Sequence, residues 1–360
     1  MPDISKRCPV NGTFELTGRC NLSCKMCLVR VDKKRIEELG LRERTAEEWI
    51  DMARQAAEAG TLGLLLTGGE VMLRPDFCEI YEAIAKMGFL LTLYTNATMV
   101  TNEIMDVLKR YPPHKIGVTM YGASNETYER LCACKNGYDK FVEGIYRLSE
   151  LPSLFEMRTT IVKDNVTDIN AMKEFARRKF GKDKALIISR FVTKSIRGGI
   201  ACAEKCRLTP VENIKLIHND LTELYEKVKA NEIKLPKPEE KLKTHYRNNI
   251  SEGDYLFENC GAGLNQYTIT WDGAMYACEL LPTGCTFPFD TNFRQAWEEL
   301  PEKYPRSRIN KRCMDCKYAA FCEACPAIRM AETGDYFDAP EYFCEEAQYF
   351  YNILSELEVV

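Results

Sequence analysis

The chain has 360 residues, of which 45% are hydrophobic and 28% are charged, and its net charge is −4 at pH 7. This composition is typical of a globular protein, and a chain of this length can bury a full core. Because no basic stripe alternates with aromatic residues and no apolar run approaches the ~18 residues of a membrane span, we expect neither a nucleic-acid partner nor a membrane.

The number of cysteines in the sequence indicates a class of chemistry. The N-terminus lacks the apolar segment of a signal peptide, so we expect the chain to be cytoplasmic, in a reducing compartment. Seventeen cysteines in such a compartment indicate metal or redox chemistry instead of disulfides. The three histidines fall in no motif and are expected at the surface or in loops.

The first strand-like run, 14–17, leads into a CxxxCxxC motif formed by Cys20, Cys24 and Cys27. Three thiolates at this spacing can hold three irons of one 4Fe–4S cluster and leave the fourth iron open for a substrate or cofactor. A zinc site is the alternative, but zinc usually takes four ligands in two pairs, and no nearby Cys or His completes this set. The motif therefore favours an iron–sulfur cluster.

The second strand-like run, 62–67, is apolar and ends in Gly68, Gly69 and Glu70. Such a run is typical of a buried parallel strand. Glycines at its C-terminal end let the backbone approach a ligand closely, and a carboxylate there can accept a hydrogen bond from a ligand ammonium group. Many strand-to-helix turns share this pattern, so it gains weight only beside the cysteine motif.

Strands and helices alternate along the rest of the first 229 residues. A capping box from Thr45 to Glu48 begins the clearest helix, which runs to about residue 59. This alternation predicts an α/β fold with right-handed βαβ units and a parallel sheet, and six units predict a partial (β/α)6 TIM-like barrel that binds ligands at the C-terminal ends of its strands. The strand-like runs are 14–17, 62–67, 90–95, 115–120, 155–162 and 185–192. The other helix-like segments are 76–87, 101–110, 138–150, 168–180 and 210–229.

The CxxxCxxC motif followed by the Gly-Gly-Glu turn resembles the radical S-adenosylmethionine (SAM) enzymes. The resemblance implies that the open iron chelates the amino and carboxylate groups of SAM and that the turn holds the methionine end of SAM. Thr119 and Tyr121 occupy the place of a strand end that reaches the ribose of SAM, and Asn96 ends a turn resembling the family's Thr-Asn-Gly. The cofactor-binding residues expected from this resemblance and from charges inside apolar runs are Thr67, Gly68, Gly69, Glu70, Asn96, Thr119, Arg158 and Arg190.

The two arginines have a second interpretation. Arg158 and Arg190 lie inside apolar runs, and a buried Arg needs a partner. A SAM carboxylate or a substrate acid would supply one, and a salt bridge across the barrel would do so equally well.

The composition changes at 230–256, where charged residues and prolines predict a linker between a barrel domain, 1–229, and a cysteine-rich domain, 257–360. The second domain resembles the SPASM domain, a C-terminal extension of some radical SAM enzymes that carries auxiliary 4Fe–4S clusters, with little regular structure and a C-terminal helix. The ligands implied for the outer auxiliary cluster are Cys313, Cys316, Cys322 and Cys344. Those implied for the inner cluster are Cys260, Cys278 and Cys325.

The inner cluster lacks an obvious fourth ligand. Cys285 is the nearest candidate, and without it one iron would be open to a substrate. The sequence also departs from the family in having two residues, not three, between Cys322 and Cys325. A zinc knuckle of Cys313, Cys316, Cys322 and Cys325 is the alternative for this region.

Together these features predict an enzyme with three 4Fe–4S clusters that cleaves SAM reductively to a 5′-deoxyadenosyl radical. The resemblance implies oxidative modification of a ribosomally made peptide, as a thioether, C–C or C–O crosslink, with a flavodoxin or ferredoxin-type reductant. Only nineteen residues precede Cys20, so we expect a separate leader-recognition protein or recognition without one. Glu279, which follows Cys278, is a candidate base, and Tyr121 a second candidate catalytic residue.

Three alternatives stay open from the sequence. The first is anaerobic sulfatase-maturing chemistry, although its relatives carry Asp where this chain has Glu279. The second is a small-molecule dehydrogenase or epimerase. The third is a non-enzymatic iron–sulfur electron carrier, which would need neither an open iron nor the Gly-Gly-Glu turn.

Overall fold

The computed structural model describes residues 7–181, 186–216, 226, 229–230, 253–257, 260–308 and 310–356. The described residues fall into two units, one formed by those up to 207 together with 262–303, the other by those within 208–261 and 304–356. Most of the predicted linker at 230–256 and much of the predicted helix at 210–229 lie outside the described residues. The boundaries 1–229 and 257–360 stay predictions.

The first unit is built on a single sheet. Its strands are β1 Asn11–Glu15, β2 Gly63–Thr67, β3 Leu90–Thr95, β4 Lys115–Thr119, β5 Leu154–Thr160, β6 Ile187–Ser189, β7 Gln266–Ile269 and β8 Met275–Tyr276. The strand order is β6-β5-β4-β3-β2-β1-β7-β8, in which all neighbours are parallel except β7 and β8. The first six strands and their helices confirm the predicted partial (β/α)6 barrel.

Two strands extend the sheet beyond the prediction. β7 pairs in parallel with β1, and β8 returns antiparallel beside β7. Both come from the cysteine-rich part of the sequence, where we expected little regular structure. They are short, and the Asp272-Gly273 turn joins them with Gly273 at a φ of 94°, a conformation that favours glycine.

In the first unit, helices connect the strands, and α2 packs on the sheet through Trp49. In α2 the predicted capping box is present: the Thr45 hydroxyl accepts from the Glu48 N–H and the Glu48 carboxylate accepts from the Thr45 N–H. No helix within the described residues is long and apolar enough to cross a membrane. The helices are α1 Lys33–Glu38, α2 Ala46–Glu58, α3 Phe77–Ala85, α4 Asn102–Arg110, α5 Asn125–Cys132, α6 Gly137–Leu148, α7 Ile169–Phe180, α8 Ala203–Cys206, α9 Phe293–Glu299, α10 Lys311–Met314, α11 Pro326–Thr333 and α12 Glu341–Glu356.

The sheet has an apolar helix-covered face and a polar inner face. Phe14 of β1 packs on Trp49 of α2 with ring centroids 5.1 Å apart, which fixes the helix-covered side. Side chains alternate along a strand, so the residues in register with Phe14 share that side and their neighbours point the other way. The inner face therefore carries Glu15, Thr67, Tyr94, Gly117, Thr119, Glu156 and Arg158.

The second unit contains the C-terminal helix that the sequence predicts. The Tyr342 hydroxyl on α12 donates to the Leu208 carbonyl oxygen at 3.0 Å. Aromatic side chains of α12 pack on the turn before Cys322, with Phe350 and Phe321 ring centroids 5.6 Å apart. These contacts hold α12, which carries Cys344, against the segment that carries the other clustered cysteines.

Candidate functional site

The loop that carries the three motif cysteines, residues 16–31, is named the cluster loop. Its first residues lie against the turn after β2: the Gly69 and Glu70 N–H groups donate to the carbonyl oxygens of Thr17 (2.7 Å) and Arg19 (2.9 Å). A Cβ at Gly69 would lie 2.1 Å from the Arg19 carbonyl oxygen, so only glycine fits. We expected these glycines to approach a ligand, and in the structure they approach the cluster loop.

The middle of the cluster loop lies against the C-terminal end of α5. The Ser23 N–H donates to the Cys132 carbonyl oxygen at 2.8 Å, and the Lys25 N–H donates to the Leu131 carbonyl oxygen at 3.1 Å. These are carbonyls that the last turn of a helix leaves free. The two bonds bring the Cys132 sulfur to 3.5 Å from the sulfur of Cys24.

The end of the cluster loop pairs with the segment after β6. The Ile196 N–H donates to the Leu28 carbonyl oxygen at 2.9 Å, and the Ile200 N–H donates to the Arg30 carbonyl oxygen at 3.1 Å. The turn after β2, the end of α5 and the segment after β6 thus hold the backbone of the cluster loop in place.

The motif thiols suit metal ligation. The Leu22 N–H donates to the sulfur of Cys20 at 3.4 Å, and the Arg30 N–H donates to that of Cys27 at 3.2 Å. Burial raises the pKa of Cys27 to about 11 and the pKa of Cys20 still further, and nearby Cys24 adds to both increases. Thiolates in such surroundings need a positive charge beside them, which an iron cluster supplies.

A 4Fe–4S cluster with one open iron would be held by Cys20, Cys24 and Cys27 on its other three irons, and not by three ligands on one metal ion. Among the described residues no three Cys, His, Asp or Glu side chains converge as ligands of a single metal ion. The three thiols of one short loop, with amide donors to two of the sulfurs, are a donor set that fits a cluster with an open iron.

Glu70 has a structural partner for each carboxylate oxygen. It is fully buried, and Oε1 accepts from the Thr95 hydroxyl at 2.8 Å and the Met72 N–H at 3.2 Å, while Oε2 accepts from the Asn96 N–H at 2.8 Å. The side-chain amide nitrogen of Asn96, Nδ2, lies 3.8 Å from the sulfur of Cys20. Glu70, which we expected to meet a ligand ammonium, therefore holds the turn that brings Asn96 to the cluster loop.

Tyr94 and Arg158 form a stack on the inner face of the sheet. The Arg158 guanidinium lies 4.1 Å from the centre of the Tyr94 ring, within cation–π range. A Cβ on Gly117 would come within 2.5 Å of that ring, so the glycine leaves the space that the tyrosine fills. Arg158 also pairs weakly with Glu156, at 3.4 Å, and its Nε is buried without a hydrogen-bond partner in the described structure.

Glu15 and Arg197 form a second, more enclosed polar pair. Their carboxylate and guanidinium lie 2.7 Å apart, with 6% and 7% of the side chains exposed. Arg197 also donates to the carbonyl oxygens of Glu279 and Leu281, just after Cys278. Glu15 Oε2 and Arg197 Nε are buried and have no hydrogen-bond partner among the described residues, which leaves one acceptor and one donor for a ligand.

The remaining predicted residues of the first unit lie around this face. Thr67 is in register with Glu15 on the neighbouring strand, and Thr119 with Arg158. Arg190 directly follows β6 and is half-buried. The Tyr121 hydroxyl forms a hydrogen bond with the Cys24 thiol, so the tyrosine expected at the ribose of SAM also reaches the cluster loop. The Glu279 side chain is exposed.

The four cysteines predicted for the outer auxiliary cluster gather within the second unit. The thiols of Cys313 and Cys316 raise the pKa of Cys322, and those of Cys313 and Cys322 raise the pKa of Cys344, each after the larger effect of burial. The Arg329 guanidinium donates to the Cys313 sulfur at 3.2 Å. This buried arginine suits a negatively charged thiolate cluster.

The inner auxiliary set stays a prediction. Cys260 and Cys325 belong to the second unit, and Cys325 directly precedes α11. Cys278 and Cys285 belong to the first unit, where the Tyr276 phenol hydrogen bonds with the Cys285 thiol.

Sequence reasoning missed three residues that the structure places beside predicted site residues: Glu15, Arg197 and Arg329. A signal existed for Glu15, which is a charge between Phe14 and Leu16 just as Arg158 is a charge inside an apolar run. The two arginines follow no motif spacing, and only the fold brings them to their partners.

Comparison with known proteins shows which family and which relatives this chain resembles. Residues 14–176 match the model of the Radical SAM superfamily. The AdoMet-dependent heme synthase of Methanosarcina barkeri is 25% identical over 351 residues, which cover 91% of this chain and 94% of that protein. The PqqA peptide cyclase of Rhizobium meliloti is 29% identical over 170 residues, which cover 47% of this chain and 44% of that protein.

A solved structure shares the fold across nearly the whole chain. Streptococcus suis SuiB, in its complex with the precursor peptide SuiA, aligns with a TM-score of 0.64 and 17% identity over 95% of this chain and 76% of SuiB. The first unit and the cysteine-rich region are both included in an alignment of that extent.

Proposed function

We propose that this chain, whose residues 14–176 match the Radical SAM superfamily, is a radical SAM enzyme with a C-terminal SPASM domain and that it oxidatively modifies a ribosomally made peptide by abstracting hydrogen from a C–H bond. The family implies SAM and one 4Fe–4S cluster, which together supply a 5′-deoxyadenosyl radical. The product we propose is a thioether, a C–C or a C–O crosslink. Each of these bonds forms with the loss of two hydrogen atoms from the peptide, one to the radical and one as a proton and an electron.

The observation that carries this proposal is the polar inner face beside the cluster loop. Glu15 Oε2 and Arg197 Nε offer one acceptor and one donor, both buried and unpaired in the described structure. A peptide amide offers the complementary N–H donor and C=O acceptor. PqqA peptide cyclase and the SuiB–SuiA complex are relatives whose names connect this fold with peptides.

For SAM we propose the strand ends nearest to Cys20. The residues are Thr67, Gly68, Gly69, Glu70, Asn96, Thr119, Arg158 and Arg190. Asn96 lies beside Cys20, and the Arg158 Nε is an unpaired buried donor that suits a carboxylate. Glu70 contributes by accepting a hydrogen bond from the Asn96 N–H. Tyr121 contributes through its hydrogen bond with Cys24.

For the electron released by the substrate we propose two auxiliary 4Fe–4S clusters. Cys313, Cys316, Cys322 and Cys344 would hold one, and Cys260, Cys278 and Cys325 the other, with Cys285 as its candidate fourth ligand. A flavodoxin or ferredoxin-type reductant would supply the first electron. Glu279 is the proposed base, and we propose that the peptide binds either with a separate leader-recognition protein or without one.

A second candidate substrate is an iron porphyrin. The heme synthase of M. barkeri aligns over 91% of this chain, almost twice the share that the peptide cyclase aligns. The unpaired Arg197 Nε suits a porphyrin carboxylate as well as a peptide carbonyl.

The test separates the two substrates. The chain is co-expressed with each short open reading frame encoded beside its gene, and the peptides are analysed by mass spectrometry. Loss of two hydrogens, absent in a Cys20→Ala, Cys24→Ala, Cys27→Ala variant, supports peptide modification. The peptide proposal would be wrong if the peptides are unchanged and an added iron porphyrin changes mass in a SAM-dependent way. The second candidate would then replace it.

A further inference from the structure

Cys24 is the most enclosed of the three motif cysteines. It is buried, whereas Cys20 and Cys27 are half-buried. Cys132, which is fully buried, packs against it together with apolar side chains of the cluster loop and α5. Water is therefore kept from the Cys24 sulfur, and the polar atoms that reach it come from the protein.

Two polar side chains reach that sulfur. The sulfur of Cys132 lies 3.5 Å away, and the Tyr121 hydroxyl forms a hydrogen bond with the Cys24 thiol. A sulfur ligated to iron carries no proton, so Cys24 can only accept in both contacts. The protons must then belong to the Cys132 thiol and the Tyr121 hydroxyl.

The fold holds both donors in place. α5 ends at Cys132 because Ala133 takes the left-handed conformation, with a φ of 54°. The last carbonyls of α5 bind the cluster loop on either side of Cys24. The Tyr121 ring meets Tyr128 edge to face at 5.9 Å, and the Tyr121 N–H donates to the Tyr128 hydroxyl at 3.3 Å.

We propose that Cys132 and Tyr121 donate hydrogen bonds to the Cys24 thiolate and thereby raise the reduction potential of the catalytic cluster. Hydrogen bonds to cluster sulfurs stabilise the reduced form, which carries the additional negative charge. Cys132 and Tyr121 are positioning residues, because they act on the cluster through Cys24. The proposal rests on the family chemistry and is independent of which substrate is modified.

The test is an anaerobic redox titration of the reconstituted full chain, monitored by electron paramagnetic resonance. The catalytic cluster is identified as the signal that changes when SAM is added. Cys132→Ala should lower its potential, reducing the one-electron equilibrium constant roughly threefold to tenfold, where tenfold equals 59 mV. Cys132→Ser keeps a donor and should stay closer to the unsubstituted protein.

Cys206→Ala is the matched control. Cys206 is buried in the same group of side chains, but its thiol donates to the Ala203 carbonyl oxygen at 3.1 Å. Its replacement should leave the potential unchanged. An equal shift in Cys206→Ala, or no shift in Cys132→Ala, overturns the proposal. Should Cys132→Ala fail to bind the cluster, Tyr121→Phe decides: a lower potential supports the proposal and an unchanged one overturns it.

Discussion

The Glu15 carboxyl group shows how burial at one residue controls its charge. Burial raises its pKa to about 7, the Arg197 guanidinium opposes that increase, and the carboxylates of Glu279 and Asp272 add to it. The group is therefore close to half-ionised at neutral pH, although an ion pair holds one of its oxygens. A carboxyl group with this pKa can bind a peptide N–H when ionised and can also accept a proton.

This raised pKa predicts a pH-dependent stability. The folded state binds a proton at Glu15 up to about pH 7, whereas the unfolded chain releases it near pH 4.5, so stability is lost as the pH rises between those values. Between pH 6 and pH 8 the loss is roughly 1–2 kcal/mol. Glu15→Gln should lack this loss, and its unfolding free energy should rise relative to that of the unsubstituted chain.

The measurement is chemical unfolding of both proteins at pH 6 and pH 8 under anaerobic conditions. Glu48→Gln is the matched control, because hydrogen bonds from Arg42 lower the pKa of Glu48 to about 2. The contribution of Glu48 to the free energy of unfolding is therefore constant above pH 6. Parallel pH curves for Glu15→Gln and the unsubstituted chain would contradict the raised pKa.

At the residue scale, the sequence predicted where site residues lie along the strands but not which groups they bind. Glu70 and Asn96 were expected in one site, and the structure joins them by a hydrogen bond of 2.8 Å. The Glu70 carboxylate accepts that bond, although we had expected the carboxylate to bind a ligand. Motif spacing places a residue at a strand end, but it does not say whether protein or ligand satisfies a buried polar atom, because that depends on neighbours distant in sequence.

At the scale of elements, the cluster loop depends on close backbone contact with the end of β2. The N–H groups of Gly69 and Glu70 bind the loop carbonyls of Thr17 and Arg19. A side chain at position 69 would overlap the Arg19 carbonyl oxygen, at 2.1 Å. The two backbones must then separate, and the bonds that fix the start of the loop break.

Gly69→Ala should therefore cost about 2 kcal/mol or more, since a backbone clash cannot relax like a side chain, and should lose the iron of the catalytic cluster. Iron analysis and SAM cleavage to 5′-deoxyadenosine measure the effect. Gly88→Ala is the control: its φ of 86° is unfavourable for alanine, but nothing lies within 4 Å of the added Cβ. Retention of full iron and activity in Gly69→Ala would show that the loop does not need this contact.

Element-scale prediction worked where local chemistry decides the structure. The Thr45–Glu48 capping box begins α2 as expected because both hydrogen bonds form within one turn. β7 was not predicted because Gln266–Ile269 is four residues long. Its pairing with β1 joins residues about 250 positions apart, and no local pattern encodes such a contact.

For the whole molecule, the comparisons match residues 14–176 to the Radical SAM superfamily, whereas the auxiliary clusters are inferred from cysteines. Four of these cysteines belong to the second unit, where the Arg329 guanidinium donates to the Cys313 sulfur. If all three proposed cubanes form, the reconstituted chain should bind about twelve irons. A zinc knuckle would instead give about four irons together with stoichiometric zinc.

Replacing Cys20, Cys24 and Cys27 together by alanine should abolish SAM cleavage and leave about eight irons bound, because the auxiliary ligands lie elsewhere in the chain. Iron and zinc analysis, with assay of 5′-deoxyadenosine, measures both effects. A Cys78→Ala, Cys202→Ala variant, which removes cysteines outside every motif, should keep full iron and activity. Continued 5′-deoxyadenosine formation by the triple variant would mean that SAM is cleaved at another cluster, and the assignment of the cluster loop would be wrong.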